Sequence, residues 1–467
     1  MNRKQSLNFI ESEFNNNVLP TLMDYIRIDN LSPYFDPQWD TNGKADKAVD
    51  LLVNWAKNQE VEGLKAEVIK IKDLTPLIFI EIEHNGGKGD VFMYGHYDKQ
   101  PHFEGWIEGT GPTTPKIIGD LLYGRGGADD GYALFSSLLS IKNLQKSGVK
   151  HGNIIILIEG SEESGSCHLM SYIEKLKDRI KTPKLIVCLD SGVKDYKRLW
   201  ITTSLRGNIV KDITVKCLKE AVHSGLGSGQ GPDSFNVIRQ LLDRIDDSKT
   251  GIVSDSSFNV NIPKNKIIEA EKVSSILGKS LALAKPLDNV SFTSNNLTDL
   301  YLRGTWKPAL TVIGQSGLPV HLTAGNVLRA ETSIRISLRI PPTLDAIYAS
   351  NKLDQILNND IPYNSKLEIK SRKPGYGWSA KIFSKNLENS FEESSIEYWG
   401  NSYQTVGEGG SIPFINTLSN FYPDSDIIVM GVLGPGSNAH AANETLNIPY
   451  CIKVTSCLSH AIYDMFK

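Results

Sequence analysis

The sequence predicts an α/β fold with a mostly parallel sheet, into which a smaller α+β domain is inserted. The chain of 467 residues is longer than the roughly 250–300 residues at which single domains usually stop growing. Strand-like and helix-like patterns alternate over the first 200 residues, which is typical of a parallel sheet with helices on both faces. Near residue 204 the pattern changes to that of half-exposed antiparallel strands.

The elements follow from apolar spacing along the chain. Helical spacing predicts helices at 44–59, 131–148, 171–180, 233–247, 383–400 and 451–466. Apolar runs and alternating patterns predict strands at 76–84, 90–96, 153–160, 184–190, 204–220, 333–342 and 426–434. Residues 250–310 are polar and predict no regular element. We therefore expect one α/β domain at 1–204 and 385–467, and an inserted domain at 205–384.

The composition argues against charged macromolecular partners. Hydrophobic residues make up 40% of the chain and the formal net charge is -3, so neither nucleic acid nor an anionic membrane is expected as a partner. The first residues lack the apolar core of a signal peptide, and no stretch approaches the ~20 apolar residues that span a bilayer. The five cysteines have no CxxC spacing, which favours reduced thiols in a cytoplasmic protein.

Unusual polar side chains follow the ends of several predicted strands. The run DVFMYGHYDKQP, for example, ends an apolar strand in His96 and then places Asp98 two residues on. In open α/β sheets the carboxyl ends of strands meet at one edge, where loops converge into sites. That edge is expected to hold His96, Asp98, Asp129, Asp130, Glu162, Glu163, Asp190 and His440.

Carboxylates gathered at one edge repel one another unless a cation compensates them. Imidazole and carboxylate ligands together suit zinc, manganese or cobalt. Five ligands fit two ions if one carboxylate bridges them. The five candidates are His96, Asp129, Glu163, Asp190 and His440. Asp98 projects to the same side as His96 and can hold its metal-binding tautomer. Glu162 points differently from Glu163 and can act as general base on a bridging water.

Each motif also has an ordinary structural interpretation. His96 could be a core histidine and His440 a loop histidine. Glu162 and Glu163 could be acids at a helix N-terminus, and Asp129 with Asp130 could form a helix N-cap. Asp190 could be a turn residue. Taken singly, these interpretations are as good as metal ligation or better. Five coincidences at strand ends together favour the metal site.

The chain also resembles a known family, the dinuclear zinc metallopeptidases of the aminoacylase and glutamate carboxypeptidase type, and most of all the carnosine-type cytosolic dipeptidases. The motifs that carry the resemblance are, in order, HYDKQP, GRGGADDG, EGSEESGS, VCLDSG, AVHSGLGSG, GEGGSIP and PGSNAHAANE. They run from about residue 90 to the C-terminus and occur in both predicted domains. The resemblance implies a zinc-exopeptidase-like catalytic domain and an inserted domain that serves as lid and dimer interface.

The resemblance also implies roles for single residues. It implies one metal held by His96 and Asp190, another held by Glu163 and His440, and a bridge between them at Asp129. Glu162 would be the catalytic base and Asp98 the residue that orients His96, and a cis peptide would follow the bridging aspartate.

In the inserted domain the resemblance implies that His223 reaches the active site of a partner subunit and stabilises the oxyanion. Arg339 would bind the carboxylate of the substrate. The ordinary alternatives are that His223 is a turn residue and that Arg339 is an exposed arginine on a strand. Asn326, Gly410 and Ser411 match positions that contact substrate.

The sequence thus predicts a cytoplasmic, homodimeric exopeptidase that uses two divalent cations, zinc before manganese or cobalt. It would hydrolyse dipeptides or short peptides with a free C-terminus by a metal-bridged hydroxide. One alternative is an N-acyl-amino-acid deacylase with the same site, and another is a non-catalytic binding protein of the same fold.

Overall fold

The structure is a computed structural model that describes residues 1–410 and 412–467. The chain forms two compact units. Unit 1 comprises Met1–Thr202, Ala380–Thr405 and Thr417–Lys467, and unit 2 comprises Thr203–Ser379 and Val406–Asn416. Unit 2 therefore includes a short segment, Val406–Asn416, that the sequence analysis assigned to the first domain.

The α-helices, in chain order, are α1 (Arg3–Glu13), α2 (Leu19–Ile26), α3 (Lys44–Lys57), α4 (Tyr132–Lys146), α5 (Leu169–Ile180), α6 (Ser224–Gly227), α7 (Ser234–Leu242), α8 (Lys264–Leu277), α9 (Leu297–Thr305), α10 (Ala346–Asn358), α11 (Lys385–Trp399), α12 (Pro413–Phe421) and α13 (Ile448–Met465). The strands are β1 (Leu64–Ile69), β2 (Leu77–Ile82), β3 (Val91–His96), β4 (Lys116–Ile118), β5 (Leu121–Tyr123), β6 (Ile154–Glu159), β7 (Leu185–Cys188), β8 (Trp200–Leu205), β9 (Gly207–Lys216), β10 (Val222–His223), β11 (Asp246–Asp247), β12 (Ile252–Val253), β13 (Ala309–Ser316), β14 (Val327–Leu328), β15 (Glu331–Ile340), β16 (Lys366–Ser371), β17 (Trp378–Ser379), β18 (Gln404–Glu408), β19 (Asp426–Val429) and β20 (Thr445–Asn447).

The main sheet of unit 1 is parallel in its centre and antiparallel at its sides. Its strand order is β1-β2-β6-β3-β7-β19-β8. Strand β3 pairs in parallel with β6 and β7, and β19 pairs in parallel with β7. Strands β1 and β2 are antiparallel to their neighbours, as β8 is to β19. The prediction of a mostly parallel sheet therefore holds for the centre, and the whole sheet is mixed.

The register of the central strands brings their carboxyl ends to one edge. His96, the last residue of β3, lies opposite Glu159, the last residue of β6. Tyr94 of β3 lies opposite Cys188, the last residue of β7. All residues of these three strands are buried, because helices cover the sheet. The polar residues that follow these strands are therefore delivered to a common edge.

Helix α4 is buried along nearly its whole length and contacts both α13 and the sheet. Asn447 caps the N-terminus of helix α13, because its side chain accepts a hydrogen bond from the backbone N–H of Tyr450 at 2.9 Å. Pro449 occupies its first turn, where no helical hydrogen bond from the backbone nitrogen is needed. The two C-terminal helices predicted from the sequence, at 383–400 and 451–466, correspond to α11 and α13.

Unit 2 contains an antiparallel sheet with the order β13-β15-β9-β16. Burial alternates strictly along β9, as the sequence pattern at 204–220 predicted. The inward side chains of β9 and β15 pack with those of α7 and α10 into one core; they include Ile209, Ile213, Ile336, Leu338 and Leu353.

Two element predictions in unit 2 were wrong. The helix predicted at 233–247 ends at Leu242, and Asp246–Asp247 instead pairs with Ile252–Val253. The supposedly irregular region 250–310 contains α8 and α9. Helix α8 was not predicted because its buried face includes the charged residues Lys266 and Glu269, whose side chains pair at 3.1 Å. These two residues interrupt the helical spacing of apolar residues. Within the described part of the chain, no helix is long and apolar enough to cross a membrane.

Candidate metal centre

His96 is fixed in the main sheet by its backbone and by one side of its ring. Its backbone N–H donates to the carboxylate of Asp130 at 3.2 Å. Its Nδ1 lies 3.1 Å from the carbonyl oxygen of Asp98 and 3.5 Å from the Asp98 carboxylate, so the ring proton belongs on Nδ1. The lone pair of Nε2 is then directed into the site, as a metal ligand requires.

Position 95, just before His96, requires glycine because the start of α4 and the residues before it lie very close. A Cβ atom at this position would lie 2.6 Å from Cβ of Ala133 and 2.8 Å from Oδ2 of Asp130. Only glycine leaves room for both. Asp130 can therefore reach the backbone of the strand that carries His96.

Asp129 lies between the two histidines. Its Oδ1 is 3.3 Å from Nε2 of His96, and its Oδ2 is 3.0 Å from Nε2 of His440. The peptide bond between Asp129 and Asp130 is cis, as the resemblance implied. With one oxygen turned to each histidine, this carboxylate has the geometry of a bridge between two ligand groups.

Glu162 and Glu163 begin a short 3₁₀ turn, Glu162–Ser164, after β6. The Asp98 carboxylate accepts the backbone N–H of both, each at 3.0 Å. Oε2 of Glu163 lies 3.2 Å from Nε2 of His440 and accepts a hydrogen bond from the Gln100 amide at 2.6 Å. Asp98 thus contacts the His96 ring and also holds the acidic turn.

The structure brings all five predicted ligands together in unit 1. Two groups have ligand atoms within 4.8 Å of one another: His96, Asp129 and Asp190, and Asp129, Glu163 and His440. Asp129 belongs to both. Nε2 of His96 and Oε1 of Glu163 are buried and have no hydrogen-bond partner among the described residues. Buried polar atoms are rarely left unpaired, so these atoms fit a cation as their partner.

The electrostatics of the site also favour a cation. Burial raises the pKa of Asp190 to about 6 and that of Glu163 to about 7, and the nearby charge of Asp129 adds to both shifts. Burial, followed by the charge of Asp190, raises the pKa of Glu162 well above its usual value. Burial opposes a proton on His440, but Asp129 and Glu163 outweigh it and raise its pKa to about 11. This excess of negative charge is what divalent ions neutralise.

The other predicted site residues lie in unit 2. His223 is exposed, and its Nδ1 accepts the backbone N–H of Gly225 at 3.0 Å. Asn326 is close to it, since its carbonyl oxygen accepts the N–H of Ser224 at 2.9 Å. Arg339 is half-buried in β15, and burial lowers its pKa. Gly410 is exposed, and Ser411 lies outside the described residues.

Sequence reasoning missed several polar residues that contact the ligands or lie beside them. Gln100, in the HYDKQP motif, contacts Glu163. Glu159 at the end of β6 is buried and accepts hydrogen bonds from Tyr94, Ser161 and Ser166. Arg125 and Glu444 form a buried ion pair beside Asp129. A charged residue inside an apolar strand was the available signal for Glu159. Arg125 and Glu444 lie in the GRGGADDG and PGSNAHAANE motifs, but nothing in the sequence indicated that they pair.

Comparison with known proteins places this geometry in context. The chain is 24% identical over 438 residues to a cysteinylglycine-S-conjugate dipeptidase of Corynebacterium striatum. The aligned residues cover 90% of each chain. It is 27% identical over 399 residues to the Cys-Gly metallodipeptidase DUG1 of Saccharomyces cerevisiae, covering 80% of this chain and 79% of the other.

Solved structures share the fold along almost the entire chain. The yeast dipeptidase Dug1p has a TM-score of 0.77 at 20% identity and covers 99% of this chain and 98% of its own. Human carnosine dipeptidase 1 has a TM-score of 0.75 at 20% identity with the same coverage. The model of peptidase family M20/M25/M40 matches residues 92–464, which is most of the sequence, and the chain therefore belongs to that family.

Proposed function

We propose that this protein hydrolyses the peptide bond of dipeptides or short peptides with a free C-terminus, at two divalent cations held in unit 1. The observation that carries the proposal is the position of Asp129, which has one carboxylate oxygen toward each of two ligand groups. Membership of a peptidase family and similarity to named dipeptidases support the same reaction.

The ligand chemistry favours zinc, with manganese or cobalt as alternatives, because each group combines imidazole with carboxylates. When bound, such ions lower the pKa of a shared water and polarise the substrate carbonyl. His96 and Asp190 would hold one ion, Glu163 and His440 the other, and Asp129 both. The Nδ1 contact of His96 with Asp98 keeps Nε2 free for this purpose.

Glu162 is proposed as the general base that takes the proton of the attacking water and returns it to the leaving amine. Its backbone N–H is held by Asp98, as is that of the adjacent Glu163, so the two glutamates keep a fixed relation. One side chain can then ligate while its neighbour moves the proton.

His223 is proposed to stabilise the oxyanion from a partner subunit. Because Nδ1 accepts from the Gly225 N–H, a neutral ring carries its proton on Nε2 and can donate it. Exposed apolar side chains in unit 2, among them Leu226, Val320 and Leu322, support a homodimer formed through this unit.

Arg339 is proposed to bind the C-terminal carboxylate of the peptide, because a guanidinium recognises a carboxylate through two parallel hydrogen bonds. Asn326, Gly410 and Ser411 are proposed as further substrate contacts. A cytoplasmic location is proposed as well, and the five free cysteines support it.

A substrate panel tests the proposal. The purified protein, loaded with zinc or manganese, would be assayed on dipeptides such as cysteinylglycine and β-alanyl-histidine, and on N-acetyl amino acids of matching C-terminal residue. We expect release of free amino acids from at least one dipeptide and little from the acyl compounds. Faster cleavage of the acyl compounds would contradict the proposed dipeptidase activity and favour a deacylase. Absence of turnover with both classes of compound would contradict hydrolysis at this site.

A further inference from the structure

Glu444 is a buried carboxylate that holds the backbone around the bridging aspartate. It is fully buried and follows His440 by four residues. Its Oε1 accepts the backbone N–H groups of Gly126 at 3.0 Å, Ala128 at 3.1 Å and Asp129 at 3.2 Å. A single side chain from the His440 segment thus fixes the main chain that carries Asp129.

Arg125, on the Asp129 side, binds back to the segment that carries His440. It lies just before the Asp129 segment and is 1% exposed. Its Nη1 donates to Oε2 of Glu444 at 2.7 Å, and its Nη2 donates to the carbonyl oxygen of Ala441, next to His440, at 2.6 Å. Charge-assisted bonds of this kind are short and strong, so the two segments are joined from both sides.

The His440 side chain depends on this support more than His96 does, because it is much less buried. Its side chain is 55% exposed, whereas that of His96 is fully buried. Its backbone has a φ of +60°, and those of Asn438 and Asn443 in the same loop are +51° and +64°. Non-glycine residues adopt this left-handed conformation at some energetic cost, so contacts of the loop must maintain it.

We propose that Arg125 and Glu444 are positioning residues that fix the distance between Asp129 and His440. They thereby set the affinity for the cation held by Asp129, Glu163 and His440. The cation shared by His96, Asp129 and Asp190 has only Asp129 in the two segments that they join, whereas the other cation has both Asp129 and His440 there. It therefore depends on them less, and burial and the Asp98 contact fix its His96 independently. This inference rests on the proposed two-cation site.

The test measures zinc affinity, by competition with a chromophoric chelator, for the parent protein and for Glu444→Gln and Arg125→Met. Outer contacts of metal ligands typically change affinity by about 10–100-fold. We expect each variant to weaken one zinc ion by at least ~10-fold and the other by less than ~3-fold. Glu13→Gln is the control, since it breaks an ion pair with Lys142 in the same unit at 2.8 Å and should leave both affinities unchanged.

A second measurement separates positioning from general destabilisation. In a His440→Ala background, which removes a ligand of the affected ion, adding Glu444→Gln should change the remaining affinity by less than ~2-fold. Equal weakening of both ions, in step with a lower melting temperature of the zinc-free protein, would overturn the inference, and so would unchanged affinities. A parent protein that binds fewer than two ions would instead overturn the proposed cation pair, and this inference with it.

Discussion

At the scale of single residues, the position of Asp98 shows how one side chain serves several ligands. The sequence suggested only that Asp98 orients the His96 ring. In the structure its carbonyl oxygen faces that ring, and its carboxylate accepts both backbone N–H groups of the glutamate pair. The spacing of His96 and Asp98 could be recognised from sequence, but the contact with a turn 64 residues away could not.

Replacement of Glu162 by Gln tests the proposed general base. The substitution preserves size but removes the group that accepts the proton, so we expect turnover to fall by at least ~10²-fold. Metal content, measured by elemental analysis, should remain that of the parent, because the ligand set is untouched.

Gln100→Ala serves as a comparison, since it removes a hydrogen bond to Glu163 but no proton carrier. We expect it to reduce turnover far less than Glu162→Gln does. If the Glu162 variant retained parental turnover with full metal content, another residue would have to move the proton.

At the scale of elements, the strands and helices that border the site were predictable because their apolar patterns are continuous. Strands β3, β6 and β7 are buried on both faces and appear in the sequence as unbroken apolar runs. Helix α8 was not predictable, since Lys266 and Glu269 neutralise each other inside the protein and interrupt the pattern. The pairing of Arg125 with Glu444 could not be predicted either, because the two residues are 319 positions apart and belong to separate motifs.

Gly95→Ala tests how tightly β3 is packed against the start of α4. The added methyl group would meet Ala133 and Asp130 at distances below 3 Å, and overpacking of this kind costs about 1–3 kcal/mol. We expect a lower midpoint of urea unfolding.

Gly304→Ala is the matched control, since a Cβ there has no heavy atom within 4 Å and the residue lies in α9. Alanine is favoured over glycine in helices by roughly 0.5–1 kcal/mol, so this variant should be as stable as the parent or more stable. Equal stability of the two variants would mean that β3 can yield to the methyl group.

At the scale of the whole molecule, unit 1 contains a buried base that couples its stability to pH. His460 in α13 is fully buried, and neither of its ring nitrogens has a hydrogen-bond partner among the described residues. Burial, aided by the charge of Arg3, lowers its pKa to about 3. The folded protein therefore keeps this ring neutral at a pH where the unfolded chain, with a pKa near 6.5, binds a proton.

Between pH 6.5 and pH 3 the unfolded state binds up to one more proton at His460 than the folded state does, so this residue lowers stability as the pH falls. One proton corresponds to a slope of about 1.4 kcal/mol per pH unit. His460→Leu should remove that contribution. We expect the unfolding free energy of the variant to depend less steeply on pH from 6 to 4 in urea titrations, and parallel curves would show that His460 does not contribute.

The place of β19 in the main sheet has a consequence for how the protein is made. This strand lies between β7 and β8 but is synthesised more than two hundred residues after them. A nascent chain that has left the ribosome only as far as unit 2 has an open edge along β7 and lacks His440. Open strand edges are templates for aggregation, so truncated products are expected to be insoluble as well as inactive. Completion of the main sheet and of the metal centre therefore waits until β19 and His440 have been synthesised.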